Sequence, residues 1–304
     1  MTQLSRAVLI TGCSSGIGRA TALRLAAAGW PVWASARRLE SIADLGDAGC
    51  RTLALDVTDE ASMTAAVAEV EREAGAVGVL INNAGYSQSG AVETVALDAV
   101  RRQFETNVFG LARLTQLALP AMRAQGWGKV VNIGSMGGRL TFPGGGWYHA
   151  TKYALEALSD ALRFELAGFG IDVILVEPGL ITTSFGDTAG ATLAEASLAG
   201  ADGAGEGAAS AGAASGDGDG GDDPYAHFNA TVGAVTKGAY EGPLRLFGGG
   251  PERVAKAIDK AISRKRAPTR VVVTPSARTT IPLRRVLPDR VWDAAMRQQF
   301  PQPR

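Results

Sequence analysis

Short runs of valine, isoleucine and leucine recur along the chain, separated by longer stretches in which apolar residues return every three or four positions. The first pattern is that of strands buried on both faces, the second that of helices with one apolar stripe. Strands are predicted at Ala7 to Thr11, Val32 to Ala36, Arg51 to Leu55, Val79 to Asn82, Lys129 to Ile133, Asp172 to Val176 and Thr269 to Val273. Helices are predicted at Ile17 to Ala28, Ala61 to Ala74, Leu97 to Ala124, Tyr148 to Ala167 and Pro251 to Arg264. Pro251 suits a first helical turn, where its missing N–H has no partner to lose. Alternating elements of this kind predict an α/β fold, doubly wound, with a seven-stranded parallel sheet in three α/β/α layers.

One segment breaks the pattern. Residues 197–223 are mostly glycine and alanine, with six acidic residues, no basic residue, no aromatic and no β-branched residue. Such a stretch cannot offset its ordering entropy by burial, so a disordered insertion is expected within a single domain spanning 1–304. It lacks the ligand spacing of a calcium-binding loop. From Arg264 to Arg304 the balance reverses, with ten basic residues and two acidic ones. Val291, Trp292, Ala295, Met296 and Phe300 there form one face of an expected basic amphipathic helix, within a C-terminal extension at 278–304. Such a helix can pack on the body, cap a pocket, cover a subunit interface or lie on a membrane; packing on the body is expected.

Whole-chain charge narrows the partners. Lys plus Arg and Asp plus Glu are 30 each, so no global field favours nucleic acid. Two cysteines, Cys13 and Cys50, make no disulfide framework and suit the reducing cytoplasm. The apolar run starting at Ala7 leaves no room for a signal peptide, and no apolar stretch approaches a membrane span.

Chemistry begins directly after the first predicted strand. In TGCSSGIGRA, Gly12, Gly16 and Gly18 lead into a helix, a setting in which backbone can approach a pyrophosphate and the helix N-terminus can donate N–H groups to it. At the end of the second strand Ala36 stands where a ribose-binding acid would be, and Arg37 and Arg38 follow. A guanidinium there matches the 2′-phosphate of NADP, with Arg37 the principal ligand. Tyr148 and Lys152 lie one helical turn apart, so both polar tips can reach one small volume.

Together these residues resemble the short-chain dehydrogenases/reductases, which have a Rossmann fold. The resemblance runs through TGCSSGIG (11–18), DVT (56–58), NNAG (82–85), Asn107 in TNVFG, Ser135 in NIGS, YHATK (148–152) and EPGLITT (177–183). It implies a catalytic set of Asn107, Ser135, Tyr148 and Lys152. Tyr148 would exchange the proton, Ser135 would hold the carbonyl oxygen, Lys152 would lower the tyrosine pKa and bind the nicotinamide ribose, and Asn107 would carry a relay to solvent. For the cofactor, taken as NADP(H), it implies Gly12, Ser14, Ser15, Gly16, Ile17 and Gly18 at the phosphates, and Asp56, Val57, Asn83, Ala84 and Gly85 along the adenosine side. Pro178, Gly179, Ile181 and Thr183 would hold the carboxamide end, alongside Tyr148 and Lys152.

The same resemblance points to the branch with retinol and 17β-hydroxysteroid dehydrogenases, hence to a lipophilic ketone, aldehyde or secondary alcohol and to a homo-dimer or homo-tetramer. Met136, Leu140, Phe142, Trp147 and Phe185 are candidates for an apolar wall. His149 is read as structural and Cys13 as unreactive. The competing readings are an NAD enzyme of the same fold, opposed by Arg37, and a non-catalytic cofactor-binding regulator, opposed by the complete catalytic set.

Overall fold

The computed structural model describes residues 4–183, 192, 224–241, 247–300 and 302. Seven parallel strands form one sheet: β1 Val8–Ile10, β2 Val32–Ala36, β3 Arg51–Ala54, β4 Val79–Asn82, β5 Gly128–Ile133, β6 Ile171–Glu177 and β7 Arg270–Val272. They lie in the order β3-β2-β1-β4-β5-β6-β7. The winding direction changes between β1 and β4, which opens a crevice at the C-terminal ends of these strands.

The helices are α1 Gly16–Ala27, α2 Asp44–Asp47, α3 Glu60–Ala74, α4 Leu97–Phe104, α5 Leu111–Gln125, α6 Gly146–Leu166, α7 Ala226–Glu241, α8 Pro251–Ile262, α9 Pro275–Val286 and α10 Asp289–Gln299. Alternation along the strands sorts the core into two layers. Val8, Ile10, Val79, Ile81, Val131 and Ile174 face one side, against Leu25 of α1 and Val254 and Ile258 of α8. Leu9, Leu80, Val130 and Val173 face the other, against Val67 and Val70 of α3 and Leu114 and Met122 of α5. Each such side chain contributes about 1.5–3 kcal/mol on burial. Local signals set the ends: Asp59 accepts N–H bonds from Ala61 and Ser62 at the start of α3, and Gly75, at φ 84°, stops it.

All seven strands lie where the sequence places them, but two helical expectations change. The helix expected from Leu97 to Ala124 is interrupted by a wide π-type turn at Glu105–Gly110, where Asn107 hydrogen-bonds to other segments. The C-terminal face is narrower than expected. Trp292 and Phe300 are buried and Met296 half-buried, whereas Val291 and Ala295 are exposed. Burial follows the i, i+4, i+8 seam, and Val291 and Ala295 sit one residue off it. Phe300 and Met296 pack with Ala91, Phe228 and Val232, so this helix covers the body. The 197–223 insertion and Phe185 lie outside the described residues. Among the described residues no helix is long and apolar enough to cross a membrane.

Candidate active site

At the end of β1 the chain turns through Gly12 and Gly16, at φ 71° and 56°, a region that side chains rarely adopt. A Cβ on Gly18 would lie 2.4 Å from Gly12 O and 2.5 Å from Asn83 Nδ2, so backbone and glycine meet without space for a side chain. Ser14 and Ser15 are exposed on this turn and Ile17 is half-buried. The first turn of α1 has no acidic residue, and Ser15 does not cap it. Its N–H groups therefore suit an anionic ligand such as a phosphate. The cradle fits the pyrophosphate of a nicotinamide dinucleotide. Asn83 Nδ2 donates to Thr11 O at 2.8 Å and Gly12 O at 3.1 Å, while Thr11 Oγ1 accepts from Asn83 N and Ala84 N, each at 2.9 Å. These bonds pin the tips of β1 and β4 across the crevice.

Asp56 Oδ1 accepts from both Thr58 N and Thr58 Oγ1, which shapes the turn after β3, and Val57 is buried beside it. Gly110 is required here, because a Cβ would lie 2.1 Å from Val57 O. Arg37 is exposed at the end of β2. Burial pushes the Tyr86 hydroxyl pKa up, and the nearby charges of Arg102 and Arg37 pull it back.

The other wall of the crevice comes from β5 and α6. Tyr148 is half-buried in the first turn of α6, and Lys152 is buried one turn on, with Nζ 5.7 Å from the Tyr148 ring centroid. Lys152 Nζ donates to Ile133 O at 2.8 Å. Burial lowers its pKa from 10.5 to about 8. Ser135 follows β5 and its Oγ accepts from Gly137 N at 3.0 Å. Asn107 is buried with its amide fully committed: Oδ1 accepts from Tyr86 N, and Nδ2 donates to Tyr86 O and Thr151 Oγ1. A Cβ on Gly85 would lie 3.0 Å from Asn107 Oδ1, which brings the NNAG turn against this residue.

After β6, the loop from Pro178 to Thr183 is held from both sides. Pro178 O accepts from Met136 N, Gly179 N donates to Thr274 Oγ1, and Leu180 N donates to Ser276 Oγ. Buried Ile181 pairs with Gly249. A Cβ on Gly16 would meet Thr183 Cγ2 at 3.3 Å, so this loop closes over the phosphate turn. Of the expected apolar wall, Leu140 is fully buried, Met136 and Phe142 are half-buried, and Trp147 packs with Val95 and Val100. Cys13 is buried, and its thiol is pushed up to about 12, which makes it unreactive.

Sequence reasoning missed the polar bracing behind these groups. Asn82 Nδ2 donates to Thr115 Oγ1 and to Asn132 Oδ1, and Asn132 Nδ2 donates to Ser159 Oγ. This ladder ties α5 and α6 to adjacent strands just below the site. Its signal was an asparagine near the end of each of two strands, following the apolar runs VLI and VV. Among the described residues no group of three or more His, Cys, Asp or Glu could hold a metal ion.

Comparison with known proteins agrees with this fold. The chain is 41% identical over 181 residues to a 3-ketodihydrosphingosine reductase of Bacteroides thetaiotaomicron, covering 59% of this chain and 65% of that one. It is 38% identical over 187 residues to an NADPH-dependent 3-dehydrocapnine reductase of Ornithobacterium rhinotracheale, covering 59% and 66%. The crystal structure of a short-chain dehydrogenase from Streptomyces avermitilis superposes with a TM-score of 0.72 at 35% identity, over 96% of this chain and 95% of that one. The profile of the short chain dehydrogenases matches residues 6–194, and the chain belongs to that family.

Proposed function

We propose that this oxidoreductase uses NADP(H) to transfer hydride between nicotinamide and a carbonyl group or secondary alcohol on a lipophilic small molecule. The observation that carries the reading is Lys152, a buried cation one turn from Tyr148 on the same helix. A buried ammonium without a neutralising partner is costly, and its field on an adjacent phenol is the chemical reason to keep it. When bound, the nicotinamide supplies or accepts the hydride. Tyr148 gives its proton to the carbonyl oxygen, and Lys152 brings the phenol pKa toward neutrality. Ser135 Oγ already accepts from Gly137 N, so its own proton is left for the same substrate oxygen. Because the Asn107 amide is fully used, its link toward Lys152 and solvent runs through its backbone.

The cofactor preference rests on Arg37 beside the position of Ala36, and the NADPH dependence named for the Ornithobacterium relative supports it. The half-buried Met136 and Phe142, together with the keto compound named for the Bacteroides relative, support a lipophilic ketone. Exposed aromatics Phe109, Tyr153 and Phe164 support a homo-dimer or homo-tetramer, and the two free cysteines support a cytoplasmic setting.

The test is NADPH consumption with decanal, cyclohexanone and benzaldehyde, after cofactor binding has been confirmed by fluorescence. Tyr148→Phe should lower turnover by about a hundredfold or more at unchanged NADPH affinity. Activity that survives this change would remove the proton-donor role. Arg37→Ala should weaken NADPH binding by roughly tenfold or more and leave NADH binding unchanged. An unchanged ratio would favour the NAD reading.

A further inference from the structure

His149 follows Tyr148 on α6 and is only 6% exposed. Both ring nitrogens are engaged. Phe142 N donates to Nε2 at 3.1 Å, and Nδ1 lies 3.0 Å from Gly137 O. An amide can only donate and a carbonyl can only accept, so the ring is neutral and carries its proton on Nδ1. Burial, which lowers the His149 pKa, favours the same form.

The ring fills space that two glycines leave open. A Cβ on Gly137 would lie 2.5 Å from Nδ1, and one on Gly145 would lie 2.8 Å from Nε2. Gly137 is also the residue whose N–H donates to Ser135 Oγ. A chain of direct contacts therefore runs from the helix carrying Tyr148, through the imidazole and Gly137, to Ser135. On its other side the ring packs against Phe142 with centroids 6.0 Å apart, and Phe142 packs at 6.3 Å against Trp292 of α10.

We propose that His149 is a positioning residue, a two-ended staple that fixes residues 136–145, and through them the Ser135 hydroxyl, against the helix that carries Tyr148. Its catalytic consequence rests on the carbonyl-reduction reading above. Two hydrogen-bonding groups that must converge on one substrate oxygen come from different elements, Ser135 from the end of β5 and Tyr148 from α6. Displacement of one by about an ångström costs on the order of a hundredfold in rate. The staple also sets Phe142, a candidate for the substrate wall. Its ring nitrogens are held by Gly137 and Phe142, which lie outside the phosphate turn, so its loss should leave cofactor binding intact.

The experiment compares wild type with His149→Phe, which keeps a ring but loses both bonds, and His149→Gln, whose amide offers one donor and one acceptor. Readouts are kcat and KM with the carbonyl panel, NADPH affinity by fluorescence, and amide hydrogen exchange of residues 136–145 by mass spectrometry. His149→Phe should lower kcat about ten- to a hundredfold with NADPH affinity within twofold of wild type, and should speed exchange in this segment. His149→Gln should restore most of both. Unchanged exchange in His149→Phe, a loss that Gln does not restore, or an equal loss of NADPH affinity would overturn the staple. If wild type binds NADPH but reduces no carbonyl, the reductase reading fails, while the exchange data still decide the staple.

Discussion

Two ionisable side chains one turn apart on α6 are buried to the same degree, Lys152 and Glu156 each being 8% exposed, yet their surroundings are opposite. Lys152 donates to the carbonyl of Ile133, and burial alone shifts its pKa. Glu156 sits in a six-member cluster: Arg270 bonds Glu156, Glu177 and Asp160, Arg139 lies 3.4 Å from Glu177 and 3.6 Å from Glu156, and Arg163 lies 3.1 Å from Asp160. That cluster joins β6, β7, α6 and the turn after β5. A neutralised buried charge here is architecture, whereas Lys152, which has no ion-pair partner among the described residues, lies beside the tyrosine whose acidity it can tune.

The largest expected effect on stability comes from removing a cation from the cluster. Arg270→Met leaves Glu156 and Glu177 with Arg139 alone. Breaking a buried pair costs about 3–5 kcal/mol, and the low end applies because Arg270 is 28% exposed. Differential scanning calorimetry should show Tm lower by roughly 5–10 °C. A change of less than a degree would mean that the cluster is a solvated surface network.

The same change at the other position should behave differently. Lys152→Met removes a charge whose folded pKa is about 8 against an ordinary 10.5, a penalty of roughly 3 kcal/mol at neutral pH. It also leaves Ile133 O without its donor, a cost of about 1–3 kcal/mol that offsets most of the gain. The variant should be inactive but no less stable than wild type at pH 7. A Tm loss comparable to that of Arg270→Met would show that Lys152 is held for stability, and the contrast between the two turns would disappear.

How legible this contrast is in the sequence depends on how local its causes are. The phosphate turn is readable because strand, glycines and helix are contiguous in TGCSSGIG, and Tyr148 and Lys152 because helical spacing puts them together. The Glu156 cluster is not, since Arg139, Glu177 and Arg270 reach it from segments that only the sheet order makes neighbours. The interruption of the helix at Asn107 is hidden for the same reason. Its cause is a set of bonds to Tyr86 and Thr151, 21 and 44 residues away, which no local propensity records. His149 shows the limit from the other side: its neighbour in sequence is the tyrosine, but its partners are the backbone of Gly137 and Phe142.

The smallest effect, and the sharpest on mechanism, is the pH dependence of Glu156. Glu156 shares its guanidinium neighbours, Arg139 and Arg270, with the buried carboxylate of Glu177. Burial first, and then the negative Glu177, push the Glu156 pKa up from 4.5 to about 7, against the pull of Arg270. A raised carboxyl pKa means that the folded chain binds more protons than the unfolded chain between these two values. Its contribution to stability is therefore full below pH 4.5 and is lost as pH rises through 7. Buried His149 acts with the opposite sign below its ordinary 6.5, because its lowered pKa makes the unfolded chain the better proton binder there. Glu156→Gln keeps His149 and removes only the first contribution. The Tm difference, wild type minus variant, should therefore fall as pH is raised from 5 to 8. A difference that stays flat would show that Glu156 does not titrate in this range, and one that rises would show that Glu156 is held ionised by Arg270 after all.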